Sequence, residues 1–461
     1  MSQSAFASLS LKPALLENLA SLGYQSMTPI QAQSLPPILQ GKDVIGQAKT
    51  GSGKTAAFAL GILQHLQVAQ YAVQALVLCP TRELADQVAK ELRKLARAIA
   101  NVKVLTLCGG MPFGPQLASL EHGAHVVVGT PGRIEEHLRK GRLKLDQVNM
   151  FVLDEADRML DMGFQPALDA ILSFLPSQRQ NLLFSATYPE QIQAVAERTM
   201  VSPIRVTVAS QHNDSSIEQR FFQLTPQLDR LTALQLLLLH YRPDSAVVFC
   251  NTKRETQEVA DHLNEKGLTA LALNGDLEQK IRDQTLVRFA NKSVSVLVAT
   301  DVAARGLDIE AVDFVINYQL SREDDVHVHR IGRTGRAGSR GIALTLFDAR
   351  EQFRIDRLAE RMQISITPTP LPNASALTQP GYKAPMTTLQ IDGGKKQKLR
   401  PGDILGALTT EFGVAGGDVG KIHIFDQCAY VAVKRSEARN AMSVLASGKL
   451  KGRNFRARIL K

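Results

Sequence analysis

The run Ala48-Lys49-Thr50-Gly51-Ser52-Gly53-Lys54-Thr55 has the residue types and spacing of a phosphate cradle. Glycines let backbone N–H groups turn inward around an anion, and a helix N-terminus behind them adds positive potential. Lys54 can reach the β- and γ-phosphates of a nucleotide, and the Thr55 hydroxyl can ligate Mg²⁺. The first position holds Ala48 where the general pattern has Gly.

Asp154-Glu155-Ala156-Asp157 ends an apolar run, MFVLD. Asp154 can hold Mg²⁺ through its water shell, and Glu155 can orient and deprotonate an attacking water. Alone, such a turn reads as a solvated acidic corner; together with the phosphate cradle it reads as hydrolytic. His329-Arg330-Ile331-Gly332-Arg333-Thr334-Gly335-Arg336 offers two readings. Arg333 and Arg336 could stabilise charge on a transferring phosphoryl group, or the segment could be a basic loop that touches RNA. On the first reading, hydrolysis requires two domains to close.

These groups need rigid elements to place them. KDVIGQA, ALVLCP, HVVVGTP, MFVLDE and NLLFSAT read as buried strands, and the rhythm restarts with SAVVFCN, TALALNG, SVLVATD, DFVINYQ and GIALTLF. Continuous apolar strands separated by helical patterns indicate parallel sheets covered on both faces. The expectation is α/β: two parallel-sheet domains in tandem, over 1–208 and 219–365, joined by a polar connector at 209–218. Five prolines between 366 and 385 predict an extended linker. The order strand, helix, strand, strand, helix, strand over 386–461 is that of a small α+β RNA-recognition-motif domain.

Charge singles out that last domain. From Tyr382 onward there are 15 Lys/Arg and 6 Asp/Glu, a net of +9; the first 381 residues hold the other 39 and 38, a net of +1. A basic tail behind a nearly neutral core points to a polyanionic partner. Trp is absent and aromatics are 5%, so the cores must rest on aliphatic residues. Cys79, Cys108, Cys250 and Cys428 are too scattered for a zinc site or a disulfide framework. No run has the length to cross a bilayer, and the start lacks an export signal, so no membrane role is expected.

With these motifs in order, residues 1–350 resemble the DEAD-box RNA helicases. Phe6 and Gly23 to Gln31 match the family's adenine-reading Q motif. Pro80 to Ala85, Gly109-Gly110 and Thr130-Pro131-Gly132-Arg133 match segments that line the RNA path of the first domain. Ser185-Ala186-Thr187 matches the motif that couples hydrolysis to unwinding. Gln279 and Arg282 match the QxxR element, and Ala299 to Asp308 match a segment that contacts RNA and ATP. The resemblance implies two RecA-like domains, ATP and Mg²⁺ as cofactors, and ATP contacts from Phe6, Gln31, residues 48–55 and Asp308. It makes Lys54, Thr55, Asp154, Glu155, Arg333 and Arg336 catalytic, with Mg²⁺ at Thr55 and Asp154, and it gives Ser185, Thr187 and His329 a coupling role. RNA contacts fall to Arg82, Gly110, Thr130, Arg133, Gln279, Arg282, Thr300 and Arg305.

Ile391 to Lys396, Arg400 to Asp403 and the basic ending are similar to the tails of one bacterial branch of that family. This similarity implies a target in 23S rRNA, a role in assembling the large ribosomal subunit from its precursors, and a monomer in the bacterial cytoplasm. The usual stacking octapeptide falls on Asp426 to Val433, where Cys428 replaces one aromatic and Tyr430 keeps another. The expected RNA contacts of this domain are therefore Lys395, Lys396, Lys398, Arg453, Arg456 and Arg458, with Tyr430 on the sheet. Two other activities fit the motifs less well: an ATP-gated RNA clamp with slow turnover, and a DNA helicase of the same superfamily.

Overall fold

A computed structural model describes residues 5–48, 51–208, 217–304, 312–335, 340–410 and 413–460. The first compact unit is built on a parallel sheet of seven strands. These are β1 (Val44–Gln47), β2 (Ala75–Leu78), β3 (Val104–Leu107), β4 (Val126–Gly129), β5 (Met150–Asp154), β6 (Gln180–Ser185) and β7 (Ile204–Thr207), in the order β3-β4-β2-β5-β6-β1-β7. Alternate residues feed two separate cores. Val77, Val152, Leu182 and Phe184 face one, and Leu76, Phe151, Leu153 and Leu183 face the other. This double burial is why the strands read as unbroken apolar runs.

The second unit holds six parallel strands and then four antiparallel ones. The parallel strands are β8 (Ile217–Gln223), β9 (Ala246–Cys250), β10 (Ala270–Leu273), β11 (Val296–Thr300), β12 (Phe314–Asn317) and β13 (Gly341–Phe347), ordered β10-β11-β9-β12-β13-β8. Ile217 and Glu218, expected in the connector, instead begin β8, where Ile217 pairs with Gly341. Polarity misled there: β8 is an edge strand, with a neighbouring strand on one side only. Residues 209–216 lie outside the described residues.

The C-terminal sheet consists of β14 (Met386–Ile391), β15 (Val419–Ile424), β16 (Ala429–Lys434) and β17 (Ala457–Ile459), ordered β15-β16-β14-β17. Helices Pro401–Leu408 and Ala438–Ser447 cover one face through Leu389, Ile391, Val431 and Val433. The helix and strand order is the expected one.

The proline-rich segment 366–385 is not a free spacer. Leu371 and Tyr382 pack on the core of the six-stranded parallel sheet, Thr369 N–H donates to the Phe221 carbonyl at 2.6 Å, and Ala374–Thr378 forms a 3-10 turn. Prolines set an extended path, and scattered apolar residues bind that path to the domain.

Candidate nucleotide and RNA sites

In the first unit the chemistry-bearing residues other than Phe6 and Gln31 lie at the carboxyl ends of strands, where open parallel sheets place ligands. They divide by strand order. The phosphate loop, the acidic run and Ser185-Ala186-Thr187 follow β1, β5 and β6, which are neighbours. Arg82, Gly109-Gly110 and Thr130 to Arg133 follow β2, β3 and β4, also neighbours. One sheet thus carries the residues expected at the nucleotide on one half and those expected along the RNA on the other.

Gly51 and Gly53 have φ of +82° and +97°, a region that L side chains rarely adopt. A Cβ on Gly53 would stand 2.5 Å from Gln31 Nε2 and 2.9 Å from Thr28 Oγ1. Gln31 explains that closeness: its amide nitrogen donates to the Gly53 carbonyl at 3.1 Å, while its oxygen accepts from Thr28 N–H at 2.9 Å. The Q element is therefore fastened to the phosphate loop. Phe6, expected to stack beside a base, is buried, with its ring edge-on to Tyr24 at 6.2 Å. Lys49 and Thr50 lie outside the described residues.

Lys54 Nζ donates to the Ala48 carbonyl at 2.5 Å. Burial pulls its ammonium below the ordinary lysine range, while Asp154, Glu155 and Asp157 push the other way. Burial lifts the Asp154 carboxyl to about 7, against the pull of Lys54. Among the described residues the buried Ser52 Oγ has no hydrogen-bond partner. An unpaired buried hydroxyl, a folded-back lysine and a desolvated carboxyl are the features that a phosphate and a divalent cation would satisfy.

Glu155 adopts left-handed backbone, φ 53° and ψ 51°, an uncommon conformation for a non-glycine residue that clusters at functional sites. Its carboxylate accepts from Arg158 Nη1 at 2.7 Å, and both side chains are buried. Arg158 went unnoticed in the sequence, although its place three residues along the same helix start was the available signal. Asp157 Oδ2 accepts from Thr187 N–H and Thr187 Oγ, each at 2.9 Å, and Asp157 N–H donates to Ser185 Oγ at 3.3 Å. Burial alone would raise the Asp157 carboxyl; the Thr187 and Ser185 hydrogen bonds hold it below the usual carboxylate value.

On the other half of the sheet, Gly109 N–H donates to Thr130 Oγ at 3.2 Å and Arg133 Nη1 donates to the Met111 carbonyl at 2.8 Å. Arg82 opens its helix and lies 3.8 Å from Asp86. In the second unit, Gln279 begins the helix Gln279–Ala290, and Arg282 Nη2 donates to the Ala303 carbonyl at 2.8 Å. Thr300 closes β11 and accepts from Ala303 N–H at 3.4 Å. Arg330, 1% exposed, donates to both Asp301 oxygens at 2.6 and 2.7 Å and to Asn251 Oδ1 at 3.1 Å. His329 precedes it on the helix Asp324–Ile331, and Arg333 is buried. Arg305, Asp308 and Arg336 lie outside the described residues.

The C-terminal sheet corrects one expectation. Tyr430, expected to face RNA, is 2% exposed. The open face of its sheet is packed against the helix Gln279–Ala290 and the turn that follows it. Thr388 Oγ meets Ser293 Oγ at 2.6 Å and accepts from Asn291 Nδ2 at 3.2 Å. Asn291 Oδ1 bonds His423 Nε2 at 3.0 Å, and Gln284 Nε2 donates to Gln390 Oε1 at 3.2 Å. This polar seam pairs groups far apart in the chain, and no local pattern announced it.

Lys395, Lys396, Lys398, Arg453, Arg456 and Arg458 remain exposed. Lys395 N–H and Lys396 N–H donate to the Phe425 and Asp426 carbonyls at 2.8 and 2.9 Å. Lys451 Nζ donates to the Lys398 carbonyl at 2.7 Å, and Asp392 N–H donates to the Arg456 carbonyl at 2.9 Å. Two basic segments are thereby joined into one exposed surface of the C-terminal domain.

Comparison with known proteins matches three stretches of the chain. Residues 28–195 match the DEAD/DEAH box helicase family, 228–338 the helicase conserved C-terminal domain, and 388–459 the DbpA RNA binding domain. The chain belongs to the DEAD-box family and is an ATP-dependent RNA helicase. Within the family it is similar to the ATP-dependent RNA helicase DbpA of Escherichia coli, at 54% identity over 99% of this chain and 100% of that protein. The DEAD-box ATP-dependent RNA helicase CshA of Geobacillus kaustophilus is 44% identical over 80% of this chain and 79% of its own. Among solved structures, S. cerevisiae Dbp5 bound to RNA and ADP BeF3 superposes with a TM-score of 0.73 at 28% identity, over 82% of this chain and 100% of that one. No helix among the described residues is long and apolar enough to cross a membrane.

Proposed function

We propose that this helicase locally remodels 23S rRNA in precursors of the large ribosomal subunit, with its C-terminal domain selecting the site. The carrying observation is the exposed basic surface of Lys395 to Lys398 and Lys451 to Arg458, set on a domain whose sheet face is closed. The core supplies force without choice, because phosphate and sugar contacts position RNA without reading its sequence. In this reading ATP binds over the phosphate loop. Thr55 and Asp154 would hold Mg²⁺, which would supply charge neutralisation at the phosphates.

Glu155 takes the proton of the attacking water once Arg158 yields the carboxylate. Lys54 leaves the Ala48 carbonyl for the phosphates. Arg333 and Arg336 stabilise the transferring phosphoryl charge, and Gln31, Phe6 and Asp308 serve the base and ribose. Thr187 and Ser185, through Asp157, and His329 transmit the state of the nucleotide. Arg82, Gly110, Thr130 and Arg133, with Gln279, Arg282, Thr300 and Arg305, hold the strand. The protein works as a monomer in the bacterial cytoplasm.

Crosslinking the protein to cellular RNA and mapping the bound positions tests the address. Crosslinks concentrated at one region of 23S rRNA are expected. An even spread over messenger and ribosomal RNA would overturn the proposal.

A further inference from the structure

His137 lies beneath the RNA half of the first sheet and belongs to no motif used above. It is fully buried, four residues beyond Arg133 on the helix Pro131–Arg139. Gln116 Nε2 donates to the Cys108 carbonyl at 3.0 Å, which fixes the Gln116 amide so that its oxygen faces His137 Nε2 at 3.3 Å. The imidazole must therefore carry its proton on Nε2, and Nδ1 has no partner among the described residues. The other side of the ring stacks on Phe113, with centroids 4.2 Å apart and planes at 15°. The Arg133 guanidinium carbon and Lys140 Nζ stand 5.8 and 4.2 Å from the centre of that same Phe113 ring.

Two lines of contact thus leave one imidazole. The first runs through Gln116 to the carbonyl of Cys108, the residue just before Gly109-Gly110. The second runs through Phe113 to Arg133, which also meets the Met111 carbonyl at 2.8 Å and Glu136 at 3.0 Å. An apolar residue could fill this position without leaving a buried nitrogen unpaired, so simple packing does not account for an imidazole here. Gly110 and Arg133 are two of the residues that the RNA reading places on the strand.

From this geometry we infer that His137 is a positioning residue for RNA. It acts through Gln116 and Phe113 to hold the Gly109-Gly110 turn and the Arg133 guanidinium in register with each other. The inference rests on the RNA path described under the proposed function.

The test is steady-state ATP hydrolysis by the full chain as poly(A) is titrated at saturating ATP. His137→Phe keeps the stacked ring and removes the donation to Gln116. It is expected to raise the RNA half-saturation roughly tenfold, the size of one lost buried hydrogen bond, with turnover at saturating RNA within about twofold. Gln116→Leu cuts the same link, so combining the two should add little to either alone. Phe113→Leu, at a half-exposed position, carries the same test through the second line if His137→Phe does not fold. Arg133→Ala is the control: an unchanged half-saturation there would sink the RNA path itself. A clear loss with Arg133→Ala beside unchanged half-saturation in the other variants would overturn the role of His137. A fall in saturating turnover with no shift in half-saturation would overturn it as well.

Discussion

Thr187 Oγ and Thr187 N–H both donate to one oxygen of Asp157, each at 2.9 Å, and so join the strand-end loop after β6 to the acidic run after β5. The same carboxylate accepts from Ala186 N–H at 3.2 Å. Any movement of Asp157 driven by nucleotide is passed to this loop without an intervening residue. Thr187→Val removes one hydrogen bond to a charged group, worth ~1.5–3 kcal/mol. Unwinding per ATP hydrolysed should drop by roughly ten- to hundredfold, while hydrolysis itself changes little. Parallel measurement of phosphate release and duplex separation checks this; equal losses in both would make the contact structural only.

Glu155→Gln keeps the size of the side chain and removes the carboxylate proposed as the base. Turnover should fall by roughly 10²–10⁴-fold, with ATP binding retained and RNA held longer in the ATP-bound state. Phosphate release near the wild-type rate would remove Glu155 from the mechanism.

The Arg330–Asp301 pair should act as a keystone of the second helicase domain. Arg330 spans Asp301, Asn251 Oδ1 and the Gln319 carbonyl, with its guanidinium 5.1 Å from the centre of the Phe249 ring. Arg330→Ala leaves Asp301 without its partner and should cost about 3–5 kcal/mol. Arg330→Lys should recover only part of this, since one ammonium cannot reproduce a planar fork. Urea unfolding of the full chain reads the loss, and a midpoint unchanged in Arg330→Ala would contradict it.

His327 makes the same domain acid-sensitive. Burial and the nearby Arg330 push its imidazole down to about 3, and neither ring nitrogen has a hydrogen-bond partner among the described residues. An unfolded histidine titrates near ~6.5, so between these values the unfolded chain binds the extra proton. Stability is therefore full above about pH 6.5 and declines as pH falls toward the folded value. By pH 4.5 the loss should be roughly 2–3 kcal/mol. His327→Leu should flatten the melting temperature between pH 7 and 4.5; an unchanged slope would place the sensitivity elsewhere.

Much of this was legible in the sequence because it is local. Doubly buried strands read as apolar runs, and each loop with chemistry follows such a run directly, so Lys54, Asp154 and Thr187 could be placed before any coordinates. What stayed hidden depends on distant partners. The Thr388–Ser293 contact joins residues 95 apart, and nothing near Tyr430 marks its sheet face as covered. Likewise, five prolines announce an extended path but not the docking of Leu371 and Tyr382. The seam also means that removing the C-terminal sheet would bare Asn291 and Ser293.

The most direct test of the division between a sequence-blind core and a selective C-terminal surface is ATPase stimulation by two RNAs. Full-length protein and a variant with Lys396, Lys398, Arg453 and Arg456 changed to Glu would each be titrated with 23S rRNA and with poly(A). All four side chains are exposed and lie outside the seam, so the fold should persist. The wild type should reach half-stimulation at far lower 23S rRNA than poly(A). In the variant the two curves should converge, with the poly(A) curve little changed. If the variant still prefers 23S rRNA as strongly as the wild type, the C-terminal surface does not choose the RNA and the central claim is wrong.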